Sequence, residues 1–288
     1  MLSGRSVRIA VKYRSWNPTQ QEWKLAAQCV QVEEKERIGK FVFKRDAKSA
    51  MVGRLVMRYA MSRILNVPSR TLRFSRTDKG KPFLLSPIDR TTPRCDVSFN
   101  ISHHGDYVVF VAERGRLVGV DTMKIEWQRN KPIKDFLTTM EDQLTSVEWK
   151  QVKQFTSDLD QLKTFLRFWC LKESLVKTLG TGIGFDVSRL NFQLKTTEVR
   201  DSLMVRDTQV EIDDEPAPEW HFEETMLEDH CVGVAIQDKN FDKNEEAPSF
   251  RLLDIQDILS ACEPLTGSSP DQEYWELFSS REEEPELR

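Results

Sequence analysis

Two carboxylates in this chain stand where apolar residues belong. Glu173 lies in "RFWCLKESLVKTLGTGIGF", on a stripe of Leu162, Leu166, Trp169 and Val176 with spacings of three and four, one face of a helix. Leu171, Leu175 and Leu179 make the opposite side apolar too, so little of this helix can face water. A carboxylate buried there is costly without a partner or a metal. The alternative is an i,i+4 ion pair with Lys177 on a solvated face, worth only a few tenths of a kcal/mol. Asp121 raises the same question by closing the apolar strand "LVGVD", where the alternative is the capping of a turn. Brought together, the two carboxylates repel. A divalent cation removes the repulsion, and oxygen-only ligation with water positions left open favours magnesium against a phosphorylated substrate.

A cationic group accompanies them. In "RTDKGKPFL", Arg76, Lys79 and Lys81 bracket Gly80 just before Pro82, a tight turn able to approach a phosphate closely; alone, it reads equally as a basic surface loop. The tandem His103–His104 suits a phosphate contact or a polar turn, and less well a transition metal, because no further His-rich spacing supports one.

These residues need elements to hold them. Val97, Phe99 and Ile101 alternate with Ser98, Asn100 and Ser102, which predicts a strand; "HHGD" is a turn, "YVVFVA" a second strand, "ERGR" a turn and "LVGVD" a third. As a three-stranded meander they would place His103, His104 and Asp121 on one sheet edge. A long helix from about Asp46 to Leu65 precedes them, with Ala47, Met51, Leu55 and Tyr59 on one side and a basic flank of Lys44, Lys48, Arg54 and Arg58. After the meander come a short helix with a capping box from Thr145 to Glu148 and a helix from about Leu159 to Leu179 ended by Gly180. Strand-like pieces at Arg189–Leu194, Leu203–Ile212, Glu219–Glu223 and Cys231–Ile236 suggest a second antiparallel sheet. A polar linker, a helical segment near Phe250–Leu259 and an acidic end, "REEEPELR", complete the chain.

Composition narrows the class. With 288 residues, 39% hydrophobic and 31% charged, the chain is long enough for two modest domains and lacks the signature of disorder. No apolar run reaches the length of a membrane span. Arg5, Arg8, Lys12 and Arg14 faintly suggest a presequence, but Val7, Ile9, Val11 and Tyr13 alternate as a strand does. Five scattered cysteines without a Cys-x-x-Cys pair argue against a disulfide framework or structural zinc and for a reducing, cytosolic location. Between Arg37 and Lys81 there are 13 Lys/Arg against 2 Asp/Glu in a chain of net charge −4, so that segment expects an anionic ligand or partner.

Taken together, "GVD", about fifty residues later Trp169-x-x-Lys172-Glu173-Ser174-x-x-Lys177, and before them "RTDKGKP" and "NISH" resemble the phosphopantetheinyl transferases, in their larger, two-lobed class. The agreement runs from "EEKERIGKFVFKRDAKSAMVGRL" to the "GIGF" loop and more weakly into the tail. It implies an α+β fold of two similar lobes, each an antiparallel sheet with packed helices, around a ligand cleft. The N-terminal lobe would span 1–115, the C-terminal lobe 116–240, and a linker and tail, 241–288, would pack back on the lobes. The implied reaction is holo-acyl-carrier-protein synthesis. The phosphopantetheine arm of coenzyme A moves to a serine of an acyl carrier protein, a fatty-acid synthase or an aminoadipate-semialdehyde dehydrogenase type of carrier, releasing adenosine 3′,5′-bisphosphate.

Carried over by position, Asp121 and Glu173 would hold magnesium, or manganese. Lys177 would contact a phosphate, and Glu173 would act as base for the carrier serine. Arg37, the turn of Arg76, Thr77, Asp78, Lys79, Gly80 and Lys81, and the stretch of Asn100, Ile101, Ser102 and His103 would bind coenzyme A, with His103 near the 3′-phosphate. One position departs: many bacterial relatives have an acid where this chain has Met123, so a third metal ligand must be water or another side chain such as His104. Carriers are usually acidic, so the basic helix from Lys44 to Arg63 would be their docking surface. A monomer without membrane or nucleic-acid partners is expected. The rival readings are a non-catalytic coenzyme A-binding module, a binder of polyanions through the basic segment, and a metal-dependent phosphohydrolase using "HHGD", for which the sequence lacks the additional His/Asp cluster such sites need.

Overall fold

The computed structural model describes residues 5–86, 96–127, 132–201, 203–242 and 245–283; Cys95 and the last five residues of the acidic end fall outside them. The chain opens with β1 (Ser6–Lys12). In α1 (Gln20–Gln28), the Thr19 side chain accepts the Glu22 amide while Glu22 accepts that of Thr19, a capping box. Next come α2 (Val32–Gly39), α3 (Lys44–Leu65) and the hairpin of β2 (Arg73–Arg76) with β3 (Pro82–Ser86). Three strands follow: β4 (Val97–His104), β5 (Tyr107–Arg114) and β6 (Leu117–Lys124). The second half has α4 (Ile133–Thr139), α5 (Ser146–Lys153) with the expected Thr145–Glu148 capping box, and α6 (Asp158–Leu179). Gly180 ends α6 with φ +70°, a left-handed closure glycine adopts without strain. The remaining elements are β7 (Leu190–Gln193), β8 (Gln209–Ile212), β9 (Glu215–Pro216), β10 (Trp220–Leu227), β11 (His230–Gln237), β12 (Arg251–Leu253), α7 (Ile255–Ser260) and α8 (Gln272–Ser279).

The expected mixture of helices and antiparallel sheets is what the chain forms, with a parallel pair, β1 and β12, but the meander is not. One sheet has the order β12-β1-β5-β4 and another β10-β11-β6. The third strand thus leaves its predicted neighbour and pairs with β11, in register from Leu117↔Gln237 to Lys124↔His230. Asp121 lies inside this strand opposite Gly233 rather than at its end. The pieces of the second half also split: β7, β8 and β9 form a separate small sheet.

Hydrophobic burial explains the layering. Val109, Val111, Val118, Val120, Val232 and Val234 form a core between the two larger sheets, so both are buried on facing sides. α3 packs on the outer face of the first sheet with α1, α7 and α8, and α6 covers the outer face of the second. α3 is enclosed nearly all round, and Lys48, Arg54 and Arg58 are buried with its apolar residues. The basic flank anticipated as a docking surface is therefore largely interior: Lys48 donates to the carbonyls of Arg14 and Trp16 and Arg58 to that of Ser69. No helix among the described residues is long and apolar enough to cross a membrane.

Candidate active site

The edge strands β4 and β6, one from each sheet, are joined by side chains. Asn100 Oδ1 accepts the Val120 amide at 3.2 Å, Ser98 Oγ that of Val118 at 3.2 Å, and His104 Nδ1 that of Lys124 at 2.9 Å. Between them Ser102 Oγ donates to Asp121 Oδ1 at 2.8 Å. Alternate residues of a strand share a face, so the polar residues of the "VSFNISHH" alternation form this ladder while Phe99 and Ile101 turn to the α3 side. On the other face of β6, α6 comes close because of a glycine: a Cβ on Gly119 would lie 2.2 Å from the Ser174 carbonyl. That approach brings the α6 side chains over Asp121. Lys177 Nζ donates to Asp121 Oδ1 at 2.6 Å and to Ser102 Oγ at 2.8 Å. The solvated Glu173–Lys177 pair does not form.

Asp121 is buried, and its Oδ2 has no hydrogen-bond partner. The half-buried Glu173 carboxylate likewise makes no hydrogen bond among the described residues, and its pKa is raised, first by desolvation and then by the negative charge of Asp121, against the opposing pull of Lys177. An orphaned buried carboxylate oxygen beside a second unsatisfied carboxylate is a donor set fitted to a hard divalent cation. His104 does not complete it: Nδ1 already accepts a hydrogen bond, so the neutral ring carries its proton on Nε2. A three-residue group of potential ligands occurs instead at the turns, Asp106, Asp229 and His230. There Lys124 Nζ lies 3.2 Å from Asp106 Oδ2 and 3.8 Å from Asp229 Oδ2, and His230 Nε2 accepts the Asp106 amide at 3.0 Å. A protein cation thus already balances that group.

Glu173 and Lys177 open on a cavity of about 580 Å³. Arg37, Arg76, Lys79, Gly80, Lys81, Asn100, Ile101 and His103 line it as well, so most of the anticipated ligand-binding residues converge. Trp169, Val176, Phe185 and Val187 add an apolar wall. Thr77 has a different part, closing the turn: its amide donates to the Lys81 carbonyl at 2.9 Å and its hydroxyl accepts the Lys81 amide at 3.2 Å. Asp78 is exposed at the tip, and Ser102 is turned away toward Asp121. Lys81 is tied down, its ammonium donating to the Thr178 carbonyl at 2.8 Å near the end of α6; burial pulls its pKa down. The His103 imidazolium is disfavoured too, by desolvation and then by the charges of Lys177, Arg54 and Arg37.

Two residues of this cavity region escaped the sequence reading. Glu34 on α2 sits among three arginines: Arg76 grips it with two nitrogens at 2.9 and 3.1 Å, Arg37 Nε donates at 3.1 Å and Arg54 Nη1 at 3.5 Å. Desolvation would raise the Glu34 pKa, but Arg54, Arg76 and Arg37 together hold it below the ordinary value. Arg54, taken from its helical position as part of a basic flank, is buried, lines the cavity and has its pKa lowered to about 10 by desolvation, with Glu34 opposing. The i,i+3 spacing of Glu34 and Arg37 was the only signal in the sequence, and such pairs are common on solvated helices.

The chain is similar to known proteins over most of its length. A family model described as 4′-phosphopantetheinyl transferase, N-terminal, matches residues 14–115, and one described as the 4′-phosphopantetheinyl transferase superfamily matches 117–235. The chain is 38% identical over 294 residues to the L-aminoadipate-semialdehyde dehydrogenase-phosphopantetheinyl transferase of Homo sapiens, covering 98% of this chain and 94% of that protein. The protein of the same name from Xenopus laevis is 38% identical over 288 residues, 97% and 94% of the two chains. A phosphopantetheinyl transferase of a Thraustochytrium species is 33% identical over 237 residues, 79% and 77% of the two chains.

Proposed function

Since the chain belongs to the 4′-phosphopantetheinyl transferase superfamily, we propose that its cavity binds coenzyme A and a magnesium or manganese ion and that Glu173 activates the serine of an acidic carrier domain. The observation that carries this reading is the juxtaposition of Asp121, Ser102, Lys177 and Glu173 at a cavity lined by arginines. The carriers would be of the acyl carrier protein, fatty-acid synthase and aminoadipate-semialdehyde dehydrogenase types, the last being the one named in the human relative.

Asp121 Oδ2 and Glu173 would hold the metal, which when bound supplies positive charge against the pyrophosphate. Phosphoryl-type transfer depends on positioning and charge neutralisation more than on a covalent nucleophile. Lys177, which donates to Asp121, would reach a phosphate oxygen and offset charge developing on the leaving bisphosphate. Glu173 takes the serine proton, directly or through a water, as its oxygen attacks the phosphorus bearing the pantetheine arm. Burial raises the basicity of its carboxylate, and a bound cation would lower it. Arg37, Arg54 and Arg76 around Glu34 suit the nucleotide end, where charge-assisted hydrogen bonds to phosphate are strong. Trp169, Val176, Phe185 and Val187 offer the pantetheine arm an apolar surface.

Intact-mass spectrometry of an apo acyl carrier protein incubated with coenzyme A, magnesium and the protein tests the assignment. The expected result is a gain of one phosphopantetheine arm, absent without metal. A carrier that stays apo while the protein binds coenzyme A, repeated with an aminoadipate-semialdehyde dehydrogenase carrier domain, would favour a non-catalytic coenzyme A-binding module.

A further inference from the structure

α2 brings Glu34 and Arg37 to the cavity, yet it has only eight residues and no side-chain cap at its start. A helix so short is marginal by itself. Its supports come from the other end of the chain. Arg281, 9% exposed, donates through Nη2 to the carbonyls of Ile38 at 3.2 Å and Gly39 at 2.8 Å. These are among the final carbonyls of α2, which have no partner within the helix and draw a positive charge. Asp271 pairs with Lys35. The Lys35 ammonium lies 5.0 Å above the Tyr274 ring, whose hydroxyl donates to the Lys35 carbonyl at 3.2 Å. Behind these contacts Phe278 stacks on Trp23 at 3.7 Å, and the Lys44 amide donates to the Glu282 carbonyl at 3.0 Å. Residues 271–282 therefore grip both turns of α2 and the start of α3, and they lie beyond residues 14–115 and 117–235 matched by the family models.

We propose that the C-terminal segment 271–282 is a positioning element for coenzyme A. By fixing α2 it keeps Glu34 in place to hold Arg37, Arg54 and Arg76 as a preformed phosphate site. The proposal rests on the reading of that cluster as the nucleotide end. An untethered α2 would leave three arginines to be ordered at the moment of binding, a cost that appears in affinity. Glu173 and Lys177 sit on α6 and Asp121 on β6, neither of which the segment's hydrogen bonds reach. Its loss should therefore raise KM for coenzyme A and spare kcat.

The test compares Arg281→Gln and Asp271→Asn with Arg37→Ala in the full chain, under steady state with carrier saturating. Coenzyme A or dephospho-coenzyme A is varied, and folding is monitored by circular dichroism. Arg281→Gln should raise KM for coenzyme A about three- to tenfold, the size of one or two lost hydrogen bonds. Its kcat and its KM for the carrier should stay as in wild type, with a smaller rise for dephospho-coenzyme A. Asp271→Asn, at a more exposed contact, should shift KM the same way by less, and it decides the matter if Arg281→Gln does not fold. Folded tail variants with wild-type KM beside a raised KM for Arg37→Ala would overturn the positioning role and leave the cluster reading intact. A fall confined to kcat would overturn it as well. If Arg37→Ala has no effect on KM, the cluster reading fails and the proposal fails with it.

Discussion

Lys172 and Glu173 are neighbours on α6, both charged and both withdrawn from bulk water, yet their surroundings differ. Lys172, fully buried, pairs with Glu148 at 2.9 Å and donates to the carbonyls of Val187 at 2.9 Å and Leu190 at 2.7 Å. Glu148 in turn accepts the amides of Thr145 at 2.8 Å and Phe192 at 2.9 Å. Burial pushes the pKa of Glu148 up and that of Lys172 down, and their mutual attraction opposes both shifts. That network is closed, tying α5 and β7 to α6. Around Glu173 the network is open: among the described residues its carboxylate makes no hydrogen bond and Asp121 Oδ2 lacks a partner. A closed buried pair maintains a fold, whereas an open one holds back interaction capacity for a ligand.

Substitutions at the two positions should separate these roles. The largest effect is expected at Glu173: Glu173→Gln should slow carrier modification by about a thousandfold or more, the loss of a base and a metal ligand. Urea unfolding of that variant should show stability unchanged or increased, because a desolvated carboxylate has been removed. Lys172→Met should do the reverse, costing about 3–5 kcal/mol in the same unfolding measurement by stranding Glu148. Equal destabilisation by both would erase the distinction.

A smaller effect is expected at Ser102, which holds Asp121 Oδ1 and leaves Oδ2 free. Ser102→Ala should weaken Mn2+ binding, read by electron paramagnetic resonance, about tenfold, as removal of a hydrogen bond behind a metal ligand commonly does. Ser102→Thr, which keeps the hydroxyl, should recover most of it. Unchanged Mn2+ affinity in Ser102→Ala would detach the serine from the open cluster.

The smallest effect concerns pH. Glu173 is raised above the ordinary value of 4.5, so between those two pKa values the metal-free folded chain binds more protons at this site than the unfolded chain. Its contribution to stability therefore declines as pH rises through that window. Glu34, lowered from 4.5, has the opposite sign: its stabilisation is present above 4.5 and declines as pH falls toward its folded value. Glu173→Gln should abolish the first slope and Glu34→Gln the second in pH-dependent unfolding curves of metal-free protein.

The legible parts of this molecule were those encoded locally. The periodicity of α6 with Gly180 after it, the Thr145 capping box, the alternation in β1 and β4 and the apolar run of β5 depend on residues within a turn or two of each other. Glu173 was conspicuous for the same reason, since an acid on an apolar stripe is anomalous in any tertiary setting. The short helices α2 and α8 carry too few turns to show a period, so neither was anticipated.

What the linear pattern left undecided was partnership. An apolar strand such as β6 can pair with any compatible edge; it pairs with β11 and not with β5, and it lies under α6 where Gly119 allows a close approach. Arg54 and Arg58 looked like a solvated flank because a charge on a helix says nothing about what will cover it; Arg54 meets Glu34 of α2, and Arg58 meets the Ser69 carbonyl and the Phe74 ring. The carboxylate anomalies and the family's motifs were thus determined by the sequence alone. Lys177 on Asp121, Lys81 on the end of α6 and Arg281 on α2 were decided by the tertiary structure, because each joins residues distant in the chain through contacts that exist only once the core has closed.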